Sequence, residues 1–100
     1  MTESSDDEPF EIPVTGEIDL HAFAPRDIPS LVEEYVTACR ERGILTVRLV
    51  HGRGKGVQRA EVRRVLARLP EVVSFCDAPP PSGGWGATIA QLRGSDGLTQ

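Results

Sequence analysis

The spacing of apolar positions switches along this chain between a period of two and a period near 3.6, and each switch predicts an element. From Glu17 to His21 the residues alternate, with Ile18 and Leu20 on one face and Asp19 and His21 on the other, as in a short strand. Ile28, Val32, Tyr35, Val36 and Cys39 then recur at helical spacing. Asp27 stands where an N-cap belongs, Pro29 falls in the first turn, and Gly43 supplies the stop. Ile44 to Val50 is an almost unbroken β-branched and apolar run, the pattern of a strand covered on both faces. A second helix is predicted over 57–69, with Val62, Val65, Leu66 and Leu69 as its apolar stripe and Arg59 and Arg63 one turn apart; Pro70 ends it. Val72–Cys76 and Ala87–Arg93 read as two more strands, separated by the irregular loop DAPPPSGGWG.

The resulting order is β-α-β-α-β-β. Strand, helix and strand at the start make a right-handed βαβ unit the default. The fold class expected is α/β: a single two-layer α/β sandwich with a mixed four-stranded sheet around that βαβ core. One hundred residues, 39% apolar and 26% charged, suit one domain with one modest core. The expected division is an acidic disordered tail over 1–14, a domain over 15–94 and a short tail over 95–100.

Charge changes this picture more than composition does. Residues 1–14 carry Glu3, Asp6, Asp7, Glu8 and Glu11 with no Lys or Arg, whereas Arg48 to Arg68 hold seven of the eleven basic residues against Glu61 alone. The net charge of −4 therefore averages an acidic tail and a basic stretch. No apolar run approaches the roughly 18 residues of a membrane span, and the N-terminus lacks a signal-peptide pattern. Cys39 and Cys76 lie on apolar faces of their elements without metal-ligand spacing, which points to reduced thiols and a cytoplasmic location.

The basic stretch opens with His51, Gly52, Arg53, Gly54, Lys55 and Gly56 between a strand and a helix. Backbone N–H groups at such a turn, with the helix dipole behind them, favour a phosphate. The turn lacks the spacing of a nucleotide-binding P-loop and has no Ser or Thr after Lys55, so an NTPase is discounted. Both histidines of the chain close strands: His21 the first and His51 the second, where neighbouring parallel strands put them on one edge with Asp19. Taken singly, each histidine suits a surface or capping position; together with Asp19 and three glycines they suggest a site.

The motifs Ile18-Asp19-Leu20-His21, His51-Gly52-Arg53-Gly54 and Gly83-Gly84-Trp85-Gly86-Ala87-Thr88 resemble those of the Smr domain, the small MutS-related family, over about residues 16–93. Ala22 departs from the family pattern, which has glycine after the D-x-H pair. The resemblance implies a β-α-β-α-β-β fold and endonuclease activity on nucleic acid, DNA in some members and RNA in others, including messenger RNA on stalled ribosomes. It places the functional residues at Asp19, His21, His51, Gly52 and Gly54.

Elementary chemistry assigns parts to these side chains. His21 can move a proton near neutral pH; Asp19 can hold its tautomer, stabilise the imidazolium or bind a divalent ion such as Mg2+; Arg53 and Lys55 add charge to the phosphate turn. A lone carboxylate argues against a two-metal site, and an RNA 2′-hydroxyl can serve as nucleophile without metal, so metal-free RNA cleavage with no cofactor is favoured over DNA nicking or simple nucleic-acid binding. Arg59 and Arg63 are the expected phosphate contacts of the helix, while Arg64 and Arg68 read as a solvated face. Trp85 suits base stacking as well as packing over the domain edge. A domain this small, as monomer or homodimer, offers little surface for choosing a substrate, so a host such as a ribosome is a candidate source of specificity.

Overall fold

A computed structural model describes residues 13–52, 56–82 and 84–94, the side chains of Ser82 and Trp85 excepted. Nearly all of the acidic tail, the tail after Gly94, Arg53, Gly54, Lys55 and the Trp85 side chain lie outside the described residues. Within them the chain forms β1 (Glu17–Asp19), α1 (Ile28–Glu41), β2 (Thr46–Val50), α2 (Val57–Arg68), β3 (Val72–Asp77) and β4 (Ala87–Leu92). The sheet order is β1-β2-β4-β3, with β1 parallel to β2 and β4 antiparallel to both its neighbours. Hence β1, β2 and β3 all run one way, and their carboxyl ends share one edge of the sheet with the start of β4. This is the expected two-helix α/β fold with a mixed four-stranded sheet.

The core lies between the sheet and the helices. Ile28, Leu31, Val32, Tyr35, Val36 and Cys39 of α1 and Val62, Val65 and Leu66 of α2 pack against Ile18, Val47, Leu49, Ala90 and Leu92. At about 1.5–3 kcal/mol for each large apolar side chain removed from water, α1 carries more of the anchoring than α2. Tyr35 is fully buried, and its hydroxyl donates to Glu17 O at 2.9 Å while accepting from Gly16 N at 3.1 Å, so the polar end of a core residue ties α1 to the start of β1. None of the described helices is long and apolar enough to cross a membrane.

Several local expectations change. Thr46 is exposed and Arg48 and Val50 are half-buried while Val47 and Leu49 are buried, so β2 is covered on one face, not two. The two-layer architecture leaves its other face without helices. Cys76 is exposed for the same reason: it pairs with Ile89 in the row that continues to Arg48, away from the helices. Asp27 makes no side-chain cap bond; the 3-10 turn Pro25–Asp27 leads directly into α1 and Asp27 is already helical in backbone angles. The loop after β3 contains two short 3-10 turns, Pro80–Ser82 and Gly84–Gly86, where proline and glycine suggested only irregular chain.

Candidate functional site

β1 stops at Asp19 instead of His21. Leu20, fully buried, pins a 3-10 turn over Leu20–Ala22, and Asp19 caps it. One carboxylate oxygen, Oδ1, accepts from the His21 backbone N–H at 3.0 Å and from ring Nδ1 at 2.7 Å. The carboxylate can only accept, so Nδ1 carries a proton and Nε2 is the unprotonated nitrogen of the neutral ring. The backbone N–H of His21, then its ring, hold the Asp19 carboxyl below its ordinary value. Both side chains are more than half exposed to solvent. The pair thus meets as the sequence suggests, by capping a turn and not by strand alternation.

Parallel pairing sets Asp19 opposite Val50, so His51 and Gly52 follow beside the His21 turn. Gly52 has φ +83°, and a Cβ built there would overlap His21 Nε2 and stand 3.0 Å from its Cε1. Glycine is required here twice over, by the backbone angle and by the imidazole lying against it. The amide of Gly52 is not turned toward an incoming anion, however: it donates to Gly86 O at 2.8 Å, beside the His51 amide at 3.0 Å. The contribution expected of Gly52, a phosphate-binding N–H, is replaced by room for a histidine. At the far end of the turn Gly56, φ +82°, begins α2, its carbonyl accepting from Ala60 N at 2.9 Å.

His51 differs sharply from His21. It is 4% exposed, its Nδ1 is 3.0 Å from Gly52 O and its Nε2 is 2.8 Å from Thr88 Oγ1. A carbonyl cannot donate, so Nδ1–H donates to Gly52 O and Nε2 accepts from the Thr88 hydroxyl. Burial depresses its proton affinity, and the cations Arg59 and Arg63 act in the same direction. The ring is therefore a neutral brace between the end of β2 and β4.

Arg59 and Arg63 face the edge from α2, one turn apart as expected, but both are engaged by Asp77 at the end of β3. Arg59 Nη2 donates to Asp77 Oδ1 and Oδ2 at 2.8 and 3.1 Å, and Arg63 Nη1 to Oδ1 at 3.3 Å. The Arg63 guanidinium also lies over the Phe75 ring, 5.0 Å from its centroid. Elsewhere Arg64 pairs with Glu61, Arg68 with Glu33 and Arg48 with Glu17. The folded chain thus brings Glu17, Glu33 and Asp77 onto a stretch that along the sequence faces only Glu61.

Asp77 and Thr88 are the site residues that sequence reasoning passes over. Asp77 opens the irregular loop by sequence but ends β3 in the fold, and nothing in its neighbours announces two arginines from another element. Thr88 belongs to the closing motif, but its hydroxyl gains meaning only from pairing with β2. Among the described residues no three His, Cys, Asp or Glu side chains converge as a metal site.

Comparison with known proteins places this arrangement. The sequence model of the Smr domain matches residues 18–93. Endonuclease MutS2 of Thermus thermophilus is 39% identical over 77 residues, and that of Halalkalibacterium halodurans 34% over 80, covering 77% and 80% of this chain. The chain spans about a tenth of the length of these curated relatives, 10% in each case. The crystal structure of the Smr domain of Thermus thermophilus MutS2 superposes with a TM-score of 0.75 at 38% identity, covering 79% of this chain and 99% of that one. YdaL of Escherichia coli, a stand-alone small MutS-related protein, gives 0.74 at 25% identity, covering 81% and 66%.

Proposed function

The chain belongs to the Smr domain family, and from that membership and the geometry of its sheet edge we propose that it is an endonuclease that cleaves RNA through His21. The observation that carries this reading is the fixed imidazole: Asp19 holds Nδ1–H, and Nε2 lies over the bare Cα of Gly52, where any side chain would overlap it. The name endonuclease MutS2, borne by relatives that share this domain, supports nuclease chemistry.

In the proposed reaction Nε2 of His21 takes the proton of an RNA 2′-hydroxyl. The 2′-oxygen forms a bond to the neighbouring phosphorus, the bond from phosphorus to the 5′-oxygen breaks, and that oxygen takes a proton from water. Asp19 keeps the tautomer and stabilises the imidazolium that forms. His51, buried and neutral, positions Gly52 and does not itself exchange protons. The cations proposed to hold the phosphate are Arg53 and Lys55, which follow Gly52 directly in the sequence. One carboxylate already committed to a histidine is a poor start for a two-metal site, which favours proton transfer without a divalent ion.

End-group analysis tests this. Incubated with labelled RNA in EDTA, the protein is expected to leave 2′,3′-cyclic phosphate and 5′-hydroxyl ends. Ends bearing a 5′-phosphate would show attack by water instead, nicking confined to branched or damaged DNA would make it a DNA nuclease, and tight binding without cleavage would make it a binding module.

A further inference from the structure

Asp77 has no place in the chemistry just described, yet it is the most heavily used carboxylate of the sheet edge. Its two oxygens accept four hydrogen bonds from three nitrogens: Arg59 Nη2 at 2.8 and 3.1 Å, Arg59 Nε at 3.2 Å and Arg63 Nη1 at 3.3 Å. We propose that Asp77 stands in for a nucleic-acid phosphate: it keeps Arg59 and Arg63 aimed and spread in the unloaded protein, and an entering strand takes the pair over. The inference rests on the reading of the ligand as nucleic acid and adds a second phosphate subsite to it.

Three features support a stand-in over a plain structural clasp. Carboxylate and phosphate present the same planar-fork partner to a guanidinium, so arginines arranged for one are arranged for the other. One carboxylate takes both guanidiniums, whereas Arg64–Glu61 and Arg68–Glu33 are one-to-one pairs. The Arg63 guanidinium is also held by the Phe75 ring, so it keeps its position when the carboxylate turns away. The three side chains are 30%, 31% and 41% exposed, reachable by a strand without unfolding anything.

The placement gives the subsite a meaning. Asp77 ends β3 and Asp19 ends β1, at the same edge but at opposite margins of the sheet. Three inter-strand steps amount to about 14 Å, well beyond the spacing of neighbouring phosphates on one strand. The clamp therefore grips a phosphate more than one nucleotide from the one beside His21, and it selects for strands long enough to reach both.

The test uses 2′-O-methyl RNA, which lacks the nucleophile and binds without being cut. Affinities of the wild type, Asp77→Asn and the double variant Arg59→Gln/Arg63→Gln are measured by fluorescence anisotropy for a strand of about 20 nucleotides and for a trinucleotide, between about 50 and 200 mM salt. Asp77→Asn is expected to bind the long strand several-fold more tightly, with a salt slope steeper by about 0.7, as one more cation becomes available to phosphate. The arginine double variant is expected to bind it several-fold more weakly with a shallower slope, and the trinucleotide is expected to change in neither. A lower melting temperature for Asp77→Asn with an unaltered salt slope would overturn the proposal and make Asp77 a structural clasp. Equal gains for the trinucleotide would overturn the separation of the two subsites. Wild-type protein that binds neither strand would remove the nucleic-acid reading itself, whereas normal wild-type binding with an unresponsive Asp77→Asn removes only the clamp.

Discussion

The imidazole of His21 lies against the bare Cα of Gly52, so closely that a single methyl group on that carbon would overlap Nε2. A side chain at the end of β1 is thereby positioned by the absence of one after β2. Together with the Asp19 bond to Nδ1, this contact leaves the ring little freedom, and catalytic groups displaced by about 1 Å can lose roughly a hundredfold in rate.

Gly52→Ala is accordingly expected to lower cleavage by about a hundredfold. The positive φ adds a stability cost of about 1–2 kcal/mol, too small to unfold a domain of ordinary stability. Rate and melting temperature measured on the same preparation separate the two effects. Cleavage at the wild-type rate would mean that the ring does not need its present position.

Thr88→Val keeps the shape of the side chain but leaves Nε2 of His51 buried without a donor. The expected cost is about 1–3 kcal/mol in urea unfolding, recovered by Thr88→Ser, which restores the hydroxyl. Unchanged stability in Thr88→Val would show that the bond to His51 contributes nothing.

The same buried ring predicts a pH dependence. Burial lowers the proton affinity of His51 in the folded chain below the value of about 6.5 expected when unfolded. As pH falls through that value the unfolded chain binds a proton that the folded chain refuses, so stability declines on the acid side until the folded pKa is reached. Above that window the group contributes no pH dependence. Melting temperatures taken downward from neutral pH are expected to fall more for the wild type than for His51→Gln, which cannot titrate; parallel curves would contradict it.

The parts of the molecule legible in the sequence are those set by local pattern. The stripe from Ile28 to Cys39 gives α1 and its buried face, and the alternation around Ile18 finds β1. Asp19 and His21 are adjacent enough in the chain that either a strand or a capped turn brings them together. What sequence hides is set by pairing across the sheet. The Gly52 amide looks available until Gly86, 34 positions later, is seen to accept it. His51 and His21 look equivalent until β4 buries one of them under Thr88. The charge of the 48–68 stretch looks opposed by Glu61 alone until Asp77, Glu33 and Glu17 arrive from β3, α1 and β1.

His21, fixed by Asp19, is the group proposed to transfer the proton in RNA cleavage. The most direct measurement is the cleavage rate of His21→Ala and Asp19→Asn beside the wild type in EDTA, with circular dichroism confirming that all three are folded. Because both side chains are largely exposed, neither change threatens the core. General acid–base catalysis of this kind contributes roughly 10²–10⁴-fold, and losses of that size are expected for both variants while the wild type remains active without divalent metal. A His21→Ala protein that cuts at the wild-type rate, or a wild type silenced by EDTA and restored by magnesium, would contradict the account.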